Sequence, residues 1–447
     1  MERESTILEM VDHYLSHSGF TLTQFAERSG LRTGTLSNLI HGRRPLSIRQ
    51  LDLITAGLNR EEGTLYEQYI DEHILSHPPN WRRARPLLFR CAELGKPASV
   101  KRLVSWLAEQ LSYLPMLFET AEELAASGHS EAAAILYECV AEAERYQHSE
   151  RLALCQYRLF LLSLGKEQER NGKAAHRFEP FLDRLDAPYQ LDALKKLADV
   201  QASLHAWSQV DQLADKLAQK AERFAGQALE PPPERPLLYY LHYAYLLKAA
   251  VCDAGREYGQ ALQWTTRYAS LTSGTPIESF TGDEQIVILQ FREWATANSL
   301  VYRLMSGDNT VMESYLDYVE ARPNEIPTAL YMIVQAANLH SFRIDDALAR
   351  FRNQMEFEEQ QSRMGKVDRH IAADRHAGYH VELGEYYLRT GRPAVGLEHI
   401  LTGLKLAGGI GNVQILLKAV SDFEQNRGFA SLEQEEDYKK WRTSVLA

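Results

Sequence analysis

A short phrase recurs along this chain and limits what the chain can fold into. An apolar helical stretch runs into Gly plus polar residues, then into a second stretch rich in Ala and aromatics. It stands at Gly128-His-Ser-Glu-Ala-Ala, Gly172-Lys-Ala-Ala, Gly255-Arg-Glu-Tyr-Gly-Gln-Ala-Leu, Gly307-Asp-Asn, Gly391-Arg-Pro-Ala-Val-Gly-Leu and Gly428-Phe-Ala-Ser-Leu. These glycines lie 44, 83, 52, 84 and 37 residues apart. Each long gap is about two units, with Trp207 and Phe342 near the missing midpoints. Glycine suits such a bend because it accepts positive φ where a helix ends. Between the phrases the apolar residues follow helical spacing, as in Leu213, Leu217, Ala221, Phe224 and Ala228, which form one stripe on one face. Alternating β-branched runs with Asn-Gly or Asp-Gly turns are missing from the sequence. The expected fold is all-α.

A period of 20–50 residues signals stacked units. The pattern resembles a tetratricopeptide-like array with longer, less regular units. The expected architecture is an N-terminal helix-turn-helix domain followed by a right-handed tetratricopeptide-like helical-repeat solenoid. Each helix pair leaves an apolar face that only the next pair covers. Punctuation gives three segments: 1–61, a linker helix within 62–80 that His77-Pro78-Pro79-Asn80 breaks, and repeats over 81–447. Glu230-Pro-Pro-Pro-Glu-Arg-Pro236 reads as a further break or a long loop.

Residues 21–59 differ from the rest. Thr21-x-x-Gln24 and Ser47-x-x-Gln50 are capping-box starts. Leu22, Phe25 and Ala26 face a core, Gly30 makes a tight turn, and a short helix runs from about Thr33 to Ile40 with Leu36 and Leu39 inward. Helix, glycine turn, helix at this spacing is the helix-turn-helix plan. The segment resembles the repressor-type (Xre/Cro) family through its Leu22, Ala26, Gly30-Leu31, Thr35-Leu36-Ser37, Gly42, Arg44-Pro45 and Leu51. Where that family places Glu or a similar polar residue, this chain has Ile40. The resemblance implies that Thr33, Gly34, Ser37 and Asn38 face the major groove. It also implies that Arg32, Thr35, Arg43 and Arg44 hold phosphates. Asn can pair bidentately with adenine and a Thr methyl can touch thymine.

Charge agrees. The 447 residues carry 49 Lys+Arg against 60 Asp+Glu, a net charge of −11, so any nucleic-acid surface must be local. Yet Arg28 to Leu51 holds five arginines and no acid. A second basic stretch, Trp81 to Arg102, has seven Lys+Arg and one acid, Glu93. It reads as a solvated connector face, or more sharply as a second phosphate contact or a dock for the DNA-binding head.

Concave helical arrays bind extended peptides, whose backbone groups inward Asn or Gln can satisfy. The candidates for peptide binding are Asn298, Asn338, Tyr302, Gln335, Arg292, Gln290, His242 and Tyr239. Head, linker helix and long degenerate array together resemble the RRNPP peptide-pheromone receptors of Gram-positive bacteria, including PlcR-, NprR- and arbitrium-type receptors. That resemblance implies a signalling oligopeptide on the concave face, a homodimer, and peptide-controlled binding of double-stranded operator DNA. Some members act instead on response regulators, which would give residues 63–180 an interaction or phosphatase role with Gln110 or Gln147 orienting water. A small-molecule ligand is a third reading.

No cofactor is expected: GxxxxGK[ST], GxGxxG after a strand, GxSxG and HExxH are all missing. The pairs His13/His17, His73/His77 and His376/His380, the last near Asp374, supply two imidazoles each where a metal site needs three or four ligands. Four scattered cysteines, an acidic N-terminus and no long apolar run fit reduced thiols, a cytoplasmic location and no membrane span.

Overall fold

The computed structural model describes residues 6–146, 149–352, 361–366 and 369–446. It divides into two compact units, Met1–Leu162 and Ser163–Ala447. The first holds α1 (Ile7–Ser18), α2 (Leu22–Ser29), α3 (Thr33–Ile40), α4 (Ile48–Gly57), α5 (Tyr66–Tyr69), α6 (Trp81–Glu93), α7 (Pro97–Ala108), α8 (Leu114–Ala126) and α9 (Ser130–Ala143), and ends in α10 (Glu150–Ser163). The second holds α11 (Gln168–Phe178), α12 (Ala187–Ser203), α13 (Trp207–Phe224), α14 (Leu237–Ala254), α15 (Tyr258–Ser270), α16 (Gly282–Met305), α17 (Met312–Glu320), α18 (Ile326–His340), α19 (Asp345–Arg350), α20 (Arg369–Arg389), α21 (Pro393–Ile410), α22 (Val413–Asn426) and α23 (Leu432–Leu446). The chain is all-α and built from tandem helix pairs. The exception among the described residues is a hairpin of two-residue strands, β1 (Gln361–Ser362) and β2 (Gly365–Lys366), with Gln361 opposite Lys366.

One three-residue turn joins the helices of many pairs, and hydrogen bonds define it. The N–H of its last residue bonds to the carbonyl five residues back: Lys96 to Cys91, His129 to Leu124, Ala206 to Gln201, Glu257 to Cys252 and Arg392 to Tyr387. That residue's own carbonyl then receives the first bond of the next helix, from Val100, Ala133, Val210, Ala261 and Gly396 respectively. The middle residue must be left-handed. Gly95, Gly128 and Gly391 fill that slot, but so do His205 (φ 55°) and Arg256 (φ 59°). Gly255, expected to make the bend, has φ −78°, and its neighbour carries the left-handed geometry. Gly172, expected at a bend, lies inside α11, with Leu204 Cδ1 3.1 Å from where a Cβ would stand.

In the first unit, hydrogen bonds cross the expected division near residue 61. Tyr66 donates to Asp52 (2.7 Å), Tyr69 to the Leu46 carbonyl (2.7 Å), and the Ile7 N–H to the Glu72 carboxylate (3.2 Å). The expected linker helix is only α5 followed by a π-helical turn, Ile70–Ile74, and the chain leaves helical geometry before Pro78.

In the second unit most consecutive helices pack together, and alternate helices also touch: α12 with α14, then α16, α18, α20 and α22 in turn. These form the inner layer. The layer curls until α20 meets α12. Asp374 on α20 fastens the closure, accepting from Gln168 Nε2 (2.9 Å) and Asn412 Nδ2 (2.6 Å), with His205 Nε2 at 3.5 Å. Where α20 crosses α21, glycine lets backbones meet. A Cβ on Gly396 would stand 2.8 Å from the Gly384 carbonyl oxygen.

Candidate functional site

The Thr21 capping box forms as expected. The hydroxyl oxygen accepts from the Gln24 N–H (3.3 Å), and Gln24 Oε1 accepts from the Thr21 N–H (2.8 Å). Phe25, Ala26 and Ser29 bury one face of α2. Gly30 turns with φ 75°, and the Leu31 N–H returns to the Ala26 carbonyl (2.9 Å). α4 begins at the Ser47 box and lies close on α2 because Gly57 has no side chain. A Cβ there would stand 2.8 Å from Ser29 Cβ and 2.9 Å from Phe25 Cζ.

This frame buries Leu36 and Leu39 and turns the other side of α3 outward. Arg32 and Gly34 are exposed, and Thr33, Thr35, Ser37 and Asn38 are half-buried. Residues 33, 34, 37 and 38 share one helical face. The same face continues to His41, which is exposed and whose Nδ1 lies 2.7 Å from the Ser37 carbonyl. Sequence reading missed His41, although it lies four residues after Ser37. Arg43 and Arg44 follow, both exposed.

The electrostatics distinguish the two basic stretches. Arg28, Arg32, Arg43, Arg44 and Arg49 are exposed and form no ion pair with any described residue. In Trp81–Arg102, three of the five arginines are committed to carboxylates. Arg85 binds Glu123 (2.7 Å), Arg90 binds Glu62, Glu93 (2.5 Å) and Asp52 (3.7 Å), and Arg102 binds Asp71. Asp52, Glu62 and Asp71 belong to the head and its connector, so this stretch ties the N-terminal helices to α6 and α7.

Most of the residues expected to bind peptide are engaged with other side chains or with neighbouring elements. Asn298 donates to the Tyr268 hydroxyl (3.0 Å), between α16 and α15. Tyr302 is a core side chain, packed with Val301, Met305 and Tyr315. Tyr239 and His242 are buried against Phe291, ring centroids 5.8 and 5.0 Å away. Burial lowers the His242 pKa to about 4. These aromatics fill helix–helix seams because α14 is covered on nearly every side. Gln290 is buried and its Oε1 accepts the Arg363 N–H (2.7 Å) from the β1–β2 hairpin, whose Arg363 also grips Glu293 (2.6 Å). Arg292 is exposed and Gln335 half-buried. Asn338 donates to the Glu382 carbonyl (2.8 Å) and carboxylate (2.9 Å), and its Oδ1 is buried without a partner.

His380 Nδ1 sits 2.9 Å from His399 Nδ1, and the His376 ring lies 5.2 Å from that of His380, while Asp374 is bound elsewhere. Among the described residues no three His, Cys, Asp or Glu are placed to hold a metal ion. Gln110 is exposed, and Gln147 lies outside the described residues. No described helix is long and apolar enough to cross a membrane.

No family model matches the chain, and no curated protein matches its sequence. Among solved structures it is similar to a "circular tandem repeat protein with novel repeat topology and enhanced subunit contact surfaces", at 12% identity over 95% of this chain and 97% of that one. The TM-score is 0.21, too low to bear on either fold detail or function.

Proposed function

We propose that the chain is a DNA-binding transcriptional regulator whose repeats sense a short oligopeptide. One observation carries the DNA-binding half. In a protein of net charge −11, five exposed arginines without carboxylate partners among the described residues surround a short helix that offers Thr, Gly, Ser, Asn and His outward. Phosphates attract such arginines, and small polar side chains on a protruding helix can reach base edges. In this reading Arg32, Thr35, Arg43 and Arg44 hold the backbone. Asn38 reads an adenine, Thr33 touches a thymine methyl, and Gly34 leaves part of the choice to DNA shape. Two copies of the chain would place two α3 helices about 34–36 Å apart, one DNA turn.

The sensing half rests on the closed, inward-layered stack of the second unit and on the resemblance to peptide-pheromone receptors. A peptide that favours one curvature of that stack shifts the balance between DNA-competent and incompetent states. The test of the DNA-binding half is a gel shift of the DNA upstream of the gene by the full chain. Wild type is expected to shift it at moderate salt, with Arg32→Ala weakening the shift generally and Asn38→Ala weakening it at the cognate site. A wild-type protein that shifts no duplex contradicts the proposal.

A further inference from the structure

Of the arginines in Trp81–Arg102, Arg85, Arg90 and Arg102 hold carboxylates, and Arg82 is exposed. Arg83, on α6, is half-buried and forms no ion pair with a described residue. It lines a cavity of about 300 Å³ in the first unit. The phenol of Tyr69 beside it brings no charge, because burial raises the Tyr69 pKa.

The chain forms this cavity where the head's connector runs into α6. The apolar lining is Ile74 from the π-helical turn, Pro78 and Pro79 from the loop after it, and Trp106 from α7. The Tyr113 hydroxyl donates to the Pro79 carbonyl (3.1 Å), which pins that loop to the turn before α8. His77 and Pro78 are exposed, so the cavity opens to solvent at this rim. Single π turns inside helices occur frequently at functional sites.

The polar lining is rich in donors. A guanidinium has five N–H donors and no acceptor, and an indole has one donor. The Trp106 indole N–H makes no hydrogen bond with a described residue. Asn80 Oδ1 accepts from the Arg83 backbone N–H (3.3 Å), which leaves the Asn80 amide nitrogen as the group to offer. His73 Nε2 is buried without a hydrogen-bond partner, 3.6 Å from the Glu72 carboxylate. That carboxylate already accepts from the Ile7 N–H (3.2 Å) and from Gln68 Nε2 (2.6 Å). No described Asp or Glu lines the cavity itself. Burial lowers the His73 pKa; Glu72 opposes the shift, and Arg83 and His77 add to it. Arg83 is therefore the permanent cation of the lining, and one such charge suits a monoanion.

A guanidinium matches the two oxygens of a carboxylate with paired N–H donors. An apolar cavity of about 150 Å³ holds benzene, so this one has room for a ring and its acid group. We propose that the cavity binds a small organic acid, with Arg83 holding the carboxylate and a ring-sized apolar body lying against Trp106, Pro78 and Pro79.

Calorimetric titration of the full chain with phenylacetate, and with phenylacetamide as the uncharged counterpart, tests the site. Wild type is expected to bind the acid about tenfold or more tighter than the amide. Arg83→Gln should weaken the acid by about tenfold and leave the amide nearly unchanged, and Trp106→Leu should weaken both. Arg85→Ala is the control: that guanidinium binds Glu123 and lies outside the cavity, so neither affinity should change. Equal affinities for acid and amide in wild type overturn the carboxylate assignment without recourse to a variant. Acid binding that survives both Arg83→Gln and Trp106→Leu overturns the site. If phenylacetate does not bind, the smaller benzoate is titrated, and failure of both at millimolar concentration overturns the proposal. No arm of the experiment contains DNA or peptide, so its failure is distinct from failure of the regulator role proposed above.

Discussion

Removing Arg43 and Arg44 together tests the electrostatic half of the account with a number. Both are exposed and without ion pairs among the described residues, so their loss should leave stability within about 0.5 kcal/mol. Each phosphate neutralised contributes a slope of about −0.9 to log K against log salt. With Arg32, Arg43 and Arg44 on phosphates, one head gives about −2.7, and two heads on one duplex give about −5.4. Between about 50 and 200 mM salt the two-headed complex weakens by roughly 10³-fold. Arg43→Ala/Arg44→Ala lowers the slope by about 1.8 per head, so the same salt change then costs only about tenfold. Fluorescence anisotropy with a labelled duplex across that salt range reads the slope directly. Arg85→Ala and Arg102→Ala are the controls, because each side chain is committed to Glu123 or Asp71. A slope unchanged by the Arg43/Arg44 double substitution, or lowered as much by the controls, would refute the assignment of phosphate contacts.

Two further perturbations address the scaffold. Gly396→Ala pushes a methyl to 2.8 Å from the Gly384 carbonyl oxygen and 3.0 Å from the Leu388 nitrogen, backbone atoms that cannot move aside singly. Urea denaturation should show a loss of about 1–3 kcal/mol, and an unchanged midpoint would mean α20 and α21 are not in backbone contact. Acid should destabilise the protein through His380, whose pKa burial lowers to about 3, with His399 and His376 disfavouring its charge further. The folded state refuses a proton that the unfolded state accepts below about pH 6.5, so stability is lost as pH falls below that value and continues to fall toward about 3. At about pH 5.5 the loss from this residue is about 1.4 kcal/mol, and His380→Gln should remove that part of the pH dependence. Identical pH profiles for wild type and variant would show that His380 is not held neutral.

Local chemistry was readable in the sequence where one residue type does one job. The Thr21 and Ser47 capping boxes, the Gly30 turn and the bounds of α3 all follow from short-range hydrogen bonding and steric rules. The repeat was readable as a rhythm but not at every beat. The left-handed slot is fixed by a hydrogen bond to the carbonyl five residues back, and His205 and Arg256 occupy it in place of glycine. A non-glycine residue there costs about 1–2 kcal/mol, which the surrounding packing covers, so counting glycines skips those turns. The ligand-facing residues were least readable. Helical periodicity marks faces that are buried, but it does not say which neighbouring element covers them, as for Tyr302 among Val301, Met305 and Tyr315. That distinction depends on the closure of α20 onto α12. It is set by contacts such as Gln168 with Asp374, which lie 206 residues apart and leave no local pattern.

The most direct measurement is the ratio of affinities of the full chain for a selected duplex and for a shuffled one. The duplex would be recovered from a random pool by repeated binding at about 150 mM salt. Two half-sites one helical turn apart and a specificity ratio of about 10³ or more, reduced by Asn38→Ala, are what a reading helix at Thr33–Ile40 predicts. A pool that yields no enriched motif, or a ratio near one for wild type, would contradict the claim that α3 reads DNA.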